Sequence, residues 1–393
     1  MKIYHQAGHQ TLWNINSYEE DNVGDGIIFS PVHFNYSNIV DRNKVSEKIK
    51  KKSLFDPQFY VPNSQKTKLN TYDFFPEKLM LGFETDEFGS YATDVAKMCL
   101  DFQIDNDFES IIIPTRFYNE MITDFIAKQK VFTVEPFLNV LSKLSIDKKI
   151  LLTLPLTIAM IKDVEYRTQL LDWVSSYPEI DGVYLLVDFS ENSKQIKDFD
   201  KLYNYCQFIN ELKIAELQVY CGYCNTEGLI LTLLDVDAVT IGAYENTRRF
   251  SIDKFLELDV DRRGPATRLY IPKLLNWIRY DTVKEIYEDY PQIWNEIYSE
   301  TDYANKMLKN ISQPHFTQPE SYKHHLVLIA QQYRELMSLT KDKRYDYLKD
   351  ILKKAQDYYR NIYNAGVLFT DDNCREDHLS IWNRLINKIH ENL

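Results

Sequence analysis

The chain has 393 residues, 44% of them apolar, with 46 basic against 58 acidic side chains and a formal net charge of −12. That is enough apolar material for one large domain with an extension, or for two, and it excludes global disorder. The acidic balance argues against strong non-specific binding to nucleic-acid backbones.

The N-terminal stretch MKIYHQAGHQTLWNINSYEE is polar and lacks the apolar core of a secretory signal. No apolar run approaches the ~18 residues a bilayer span needs. Five cysteines, an odd number lying mostly in apolar runs, fit reduced thiols. The expectation is a cytoplasmic protein without membrane contact.

Taken in order, strand-like runs fall at 26–34, 53–60, 110–118, 149–157, 181–190, 216–223, 237–244 and 267–275. Most are apolar on successive residues, as in DGVYLLVDFS, which is how parallel strands buried on both faces read. Between them lie helical patterns. One example is DVEYRTQLLDWVSSYPEI, with Val164, Leu170, Leu171 and Val174 in register; another is SKQIKDFDKLYNYCQFINEL. Residues 61–109 form a long insertion with a helix near YATDVAKMCLDF. The run 131–141 is a reserve strand that reads better as a helix capped by Thr133. TEGLILTLLDV reads as a helix capped by Thr226.

Eight strands in a strand–helix rhythm predict an α/β fold, a (β/α)8 TIM-like barrel over residues 1–275. A doubly wound sheet is the rival, but no strand is followed by a glycine-rich phosphate loop. From 276 the pattern turns helical, charged and strand-free, which predicts an all-helical C-terminal region over 276–393. Its helix YDYLKDILKKAQDYYRNIYNAGVLF carries Tyr345, Leu348, Ile351 and Leu352 in helical register, then Ala355, Tyr358, Tyr359 and Ile362, an amphipathic face rich in Tyr. That face suits core packing, or failing that a protein interface.

Chemistry in such barrels sits where strands end. The polar residues predicted there are His33, Asp56, Gln58, Arg116, Asp188, Tyr220, Asn225, Glu245, Asn246, Arg248 and Arg249. Asp56, Asp188 and Glu245 are the candidates for acid/base or nucleophilic work. Arg116 with Arg248 or Arg249 would clamp a phosphate or carboxylate, and His33, Gln58 and Asn225 would line the substrate. Cys221 and Cys224 form a C-x-x-C, and together with Cys374 and His378 they have the composition of a Cys3His metal clamp. A thiol redox pair is the other active reading, and packing at a strand end beside Gly222 is the preferred one. A glycosidase pairing of Glu135 with Glu245 is weakened by the helical reading of Glu135. No zincin, α/β-hydrolase or P-loop motif occurs.

SLFDPQFY, followed by LLVDF and by LQVYCGYCNTEGLILTLLDVDAVTIGAYENTRRF, resembles the layout of the tRNA-guanine transglycosylase-like barrels. That resemblance implies a TIM barrel with acidic residues at strand ends performing base exchange. The family's contiguous zinc-binding cluster is not present in this sequence.

Two functions follow as expectations. One is an enzyme acting on a small or terminal anionic substrate, such as a phosphorylated sugar or a nucleotide. The other is a non-catalytic component of a larger protein assembly. The cofactor is left unassigned.

Overall fold

A computed structural model of the chain describes residues 1–79, 86–191, 194–257, 264–310 and 314–393. The middle of the 61–109 insertion, residues 80–85, lies outside the described residues, and the stretch after it forms the helix Asp86–Asp105.

Eight parallel strands form a nearly closed barrel: β1 (Lys2–Gln6), β2 (Gly26–Phe29), β3 (Leu54–Phe55), β4 (Ile111–Ile113), β5 (Ile150–Thr157), β6 (Gly182–Asp188), β7 (Gln218–Cys221) and β8 (Ala238–Gly242). The ring runs in sequence order, and β8 returns to β1 with Ile3 opposite Val239 and His5 opposite Ile241. The two ends of the sheet are β3 and β4, which share no ladder. The Glu109 N–H donates to Ser53 O (2.9 Å) just ahead of them. The successive apolar residues are buried as parallel strands require: every residue of β2, β4 and β8 is buried, and so is all of β5 after Ile150.

Helices start where their caps stand. Asp163 Oδ1 accepts from Tyr166 N (2.9 Å) ahead of Val164–Ser175, and Asp198 Oδ1 accepts from Lys201 N (3.0 Å) ahead of Phe199–Ile214. The stretch Thr226–Leu234 departs from expectation. It is a run of 3-10 turns preceded by Asn225, so Thr226 is its first residue and does not cap it. Its apolar residues point in every direction and are all buried, which no amphipathic surface helix allows.

The strand assignments need two corrections. β1 comes from KIYHQ, a segment with too many polar letters to read as a buried strand. The run at 267–275 does not close the barrel. It forms β9 (Arg268–Ile271), which pairs antiparallel with β10 (Asn276–Arg279) in a separate hairpin, so the region after 276 is not strand-free. Leu275 takes the left-handed conformation (φ 52°) to make that turn. Residues 130–134 form a π turn leading into the helix Glu135–Leu141, and Thr133 Oγ1 donates to Gln129 O (2.7 Å) instead of capping the helix.

The C-terminal helices complete the barrel's outer layer. Pro319–Met337 packs on Thr226–Leu234, on β8, on β9 and on the first helix, Thr11–Glu20, which is the place an eighth barrel helix would occupy. Lys341–Asn364 and Asp377–Asn392 cover the remaining side of Thr226–Leu234. At Gly228 the approach is so close that a Cβ would collide with the hydroxyl of Tyr333. Among the described residues no helix is long and apolar enough to cross a membrane.

Candidate functional site

Three concavities run along the segment that follows β8. The innermost, about 40 Å³, lies between the β6 and β7 loops and is lined by Glu227, Lys194, Arg248 and Arg249 among others. A second of about 20 Å³ shares Lys194, Arg248 and Arg249 with it and adds Asn225, Glu245, Arg268 and Trp277. The third is a cleft of about 500 Å³ that shares Glu245 and Arg249 and opens past His9, Tyr244, Lys254 and Phe316. The inner two have room for a carboxylate or a few atoms of a phosphate, and the outer cleft has room for the body of a metabolite.

Arg248 dominates the inner part. It directly follows the 3-10 turn Glu245–Thr247 after β8 and is 8% exposed, with its guanidinium stacked on the Trp277 ring 3.7 Å from the centroid. Its Nε and Nη1 are buried and have no hydrogen-bond partner. Burial penalises the charged form and pushes Arg248 down to about 10, so it remains a cation at neutral pH. Two buried N–H donors without acceptors are costly unless something fills the pocket.

The other cations divide into paired and unpaired. Lys194 is ion-paired with Glu245, and Arg268 with Asp371. Among the described residues Arg249, which lines all three concavities, makes no hydrogen bond or ion pair. Asn225 donates through Nδ2 to Lys194 O (2.7 Å), while its Oδ1 is buried and unpartnered.

Glu227 keeps part of its surface exposed, yet its Oε2 is buried without a partner. Burial raises its carboxyl to about 7 against the weaker pull of backbone hydrogen bonds and of Arg248. Near neutral pH the mouth therefore holds two uncompensated guanidinium charges beside a carboxyl at its titration point.

The remaining predicted residues lie elsewhere. Asp56 is fully buried inside the barrel below the mouth. It accepts from Tyr60 OH (2.8 and 2.7 Å) and from Gln58 N (3.1 Å), and burial raises it to about 7. Gln58, held at φ 60°, accepts from Val32 N (3.0 Å) through Oε1, and its Nε2 is buried without a partner. His33 follows β2, with a buried, unpartnered Nε2, and is pushed down to about 3 by burial and nearby lysines. Asp188 accepts from Ser190 N (2.8 Å) and closes its own turn. Arg116 donates to Tyr118 OH (3.1 Å) and lies over the Phe132 ring. Tyr220 stacks on Tyr4 below the mouth, and Asn246 is exposed on the rim of the cleft. Asn225, Glu245, Arg248 and Arg249 are thus brought together, whereas Asp56, Arg116 and Asp188 do not converge with them.

The cysteine motif is scaffold. Cys224 donates its thiol to Cys221 O (3.2 Å), and burial pushes the Cys221 thiol up to about 12 and raises that of Cys224 as well, opposite to what thiolate chemistry requires. Cys374 instead accepts from Arg268 and Arg279, and His378 packs on Trp382. Among the described residues no group of three or more His, Cys, Asp or Glu side chains is placed to hold a metal ion, so the Cys221–Cys224–Cys374–His378 clamp is not formed.

Two residues escaped the sequence reading. Glu227 stands in NTEG, in the loop that follows β7, a strand-end position masked by its reading as helix first turn. Lys254, in SIDKF, looks like an ordinary surface lysine.

Fold and mouth together define a (β/α)8-barrel protein with a basic, half-enclosed pocket at the carboxyl ends of its strands. No protein-family model, no curated protein and no solved structure matches the chain. The likeness to the transglycosylase-like barrels accordingly extends no further than layout.

Proposed function

We propose that this barrel is an enzyme that binds a small substrate by a terminal anionic group, a phosphate or a carboxylate, as in a phosphorylated sugar or a nucleotide. The observation that carries this reading is the buried, partnerless Nε and Nη1 edge of Arg248, fixed against Trp277 at the strand ends. Arg249 supplies a second, unpaired cation. Glu227, held near neutrality, exchanges a proton with the bound molecule as general acid or base.

Arg248→Met is expected to weaken anion binding by tenfold or more, since a charge-assisted hydrogen bond contributes about 1.5–3 kcal/mol. The measurement is the rise in melting temperature with inorganic phosphate, a hexose phosphate, a nucleoside monophosphate and a simple carboxylate. If wild type shifts with none of them, the small-anion reading falls, and a role as assembly component takes its place.

The pH dependence has a definite sign. As pH rises through about 7, Glu227 ionises beside Arg248, so anion affinity decreases. Glu227→Gln should flatten that decline. Titrating phosphate binding between pH 6 and 8.5 checks it, and an unchanged slope in the variant removes Glu227 from the site.

A further inference from the structure

Lys254 lies on the 3-10 turn Ile252–Phe255, downstream of β8, and its chain reaches back over the mouth. Its Nζ sits 3.4 Å from the ring centroid of Tyr223, with Phe250 at 5.6 Å and Phe255 at 5.5 Å. The cage is closed from below by Tyr60, whose ring meets those of Phe250 and Phe255 edge-on at 5.4 and 5.2 Å.

Among the described residues no carboxylate comes within ion-pairing distance of this amine, and its hydrogen bond is a long one to Asn246 O (3.5 Å). Most other lysines near the mouth are better provided for: Lys194 has Glu245, Lys201 has Glu191, and Lys68 has His33 O. Lys254 also forms part of the wall between the two larger concavities. It lines the 500 Å³ cleft, while the ring it rests on, Tyr223, lines the inner pocket with Arg248 and Glu227.

We propose that Lys254 is a reactive amine that forms an imine with a carbonyl compound entering by the cleft. The nitrogen lone pair attacks the carbonyl carbon, and the C=O electrons move to oxygen, which takes up a proton. Nitrogen gives up one proton to reach the neutral carbinolamine; its hydroxyl then takes up a second proton and leaves as water while the C=N bond forms, and nitrogen gives up its remaining proton. Amine and carbonyl balance imine and water, and no oxidant or reductant takes part.

The step needs the amine neutral at working pH, and the surroundings favour that. Burial among aromatic rings holds Lys254 well below the usual lysine range, and the charge of Asp56 opposes this only in part. The inference leans on the anion-site reading for one point alone, that Arg248 would hold the far, anionic end of the carbonyl compound. The substrate class is then a keto acid or a phosphorylated ketone or aldehyde.

The test is trapping in the full-length protein. Sodium cyanoborohydride is added at pH 7 with pyruvate, dihydroxyacetone phosphate or uncharged dihydroxyacetone, and modified lysines are located by peptide mass mapping. The expected result is modification of Lys254 ahead of every surface lysine, faster with the two anionic ketones than with neutral dihydroxyacetone, and slowed by inorganic phosphate. Equal trapping at Lys254 by all three keeps the imine and overturns the anion site. Modification spread over surface lysines with Lys254 spared overturns the imine, while the phosphate melting shift still reports on Arg248 independently. Lys254→Arg, which keeps a cation in the cage, should fold as wild type by circular dichroism and show no trapping at 254. If instead the same yield persists on other lysines of the mouth, Lys254 is not the amine.

Discussion

A chain ending at residue 275 does not fold. The helix Pro319–Met337 buries Leu326, Leu328, Ile329, Tyr333 and Leu336 against β8, β9 and Thr226–Leu234. At about 1.5–3 kcal/mol for each large apolar side chain, those five alone represent about 8–15 kcal/mol. That equals the whole net stability of a typical domain. The loss falls on one spot: Thr226–Leu234 is buried on all sides, and without its cover it becomes an exposed apolar strip beside two strands. The helix also locks into its seat through His324, whose Nε2 meets Tyr270 O (2.9 Å) and whose Nδ1 meets Thr301 Oγ1 (2.7 Å). Circular dichroism and size-exclusion chromatography of residues 1–275 are expected to show an unfolded or aggregated species. A soluble fragment with a cooperative melt would establish that the barrel folds without the C-terminal helices.

Lys254→Met, by contrast, is expected to make the protein more stable. The substitution keeps an unbranched stem among Tyr223, Phe250 and Phe255 and removes an amine from surroundings that solvate it poorly. A cation over a ring recovers about 0.5–2 kcal/mol, less than the several kcal/mol a buried ion loses in leaving water. Because Lys254 is only partly withdrawn from solvent and lines the open cleft, the expected gain at pH 7 is small, about 1 kcal/mol.

The pH dependence provides a second check. In the folded protein Lys254 gives up its proton at lower pH than in the unfolded chain, so the unfolded state binds more protons. Wild-type stability from this group therefore rises with pH up to the ordinary lysine range, and the advantage of the variant shrinks along the same path. Urea unfolding at pH 7 and pH 9.5 measures both effects. A variant less stable than wild type at pH 7 would mean that Lys254 braces the cage as a cation. The expected trade, stability gained for a group removed from the mouth, is characteristic of residues kept for function.

The fold class was legible because burial on both faces writes itself into sequence as unbroken apolar runs, and β5, β6 and β8 are such runs. β1 was not, because Tyr4, His5 and Gln6 are buried against partners supplied from elsewhere in the chain: Tyr4 OH donates to Glu109 Oε2, His5 Nε2 pairs with Val23 O, and Gln6 Oε1 accepts from Tyr184 OH. Those bonds are long-range and leave no local trace. Arg268–Ile271 was read correctly as extended chain and placed in the wrong sheet, since pairing partners are a tertiary property.

Strand-end position led to Arg248, Arg249, Asn225 and Glu245, because in a parallel barrel the loops that follow the strands gather at one end. It also flagged Asp56 and Arg116, and there it reached its limit. Whether a polar side chain at a strand end opens to the mouth or closes onto a tyrosine depends on neighbours such as Tyr60 and Tyr118, contributed by the adjoining loop. Lys254 was invisible for the complementary reason: nothing in SIDKF tells that three rings gather around its amine.

The gap between β3 and β4 gives the ring a natural break point. Two free edges face each other there, joined ahead of the strands by the bond from Glu109 to Ser53. Amide protons flanking that gap should exchange with deuterium sooner than those of the central strands β5 and β6, which share a continuous ladder from Leu151–Gly182 to Thr157–Asp188 and each have a further strand beside them. A circular permutant with new ends placed between them sacrifices no strand ladder, so the barrel can be reopened at that point and sewn elsewhere with its mouth intact.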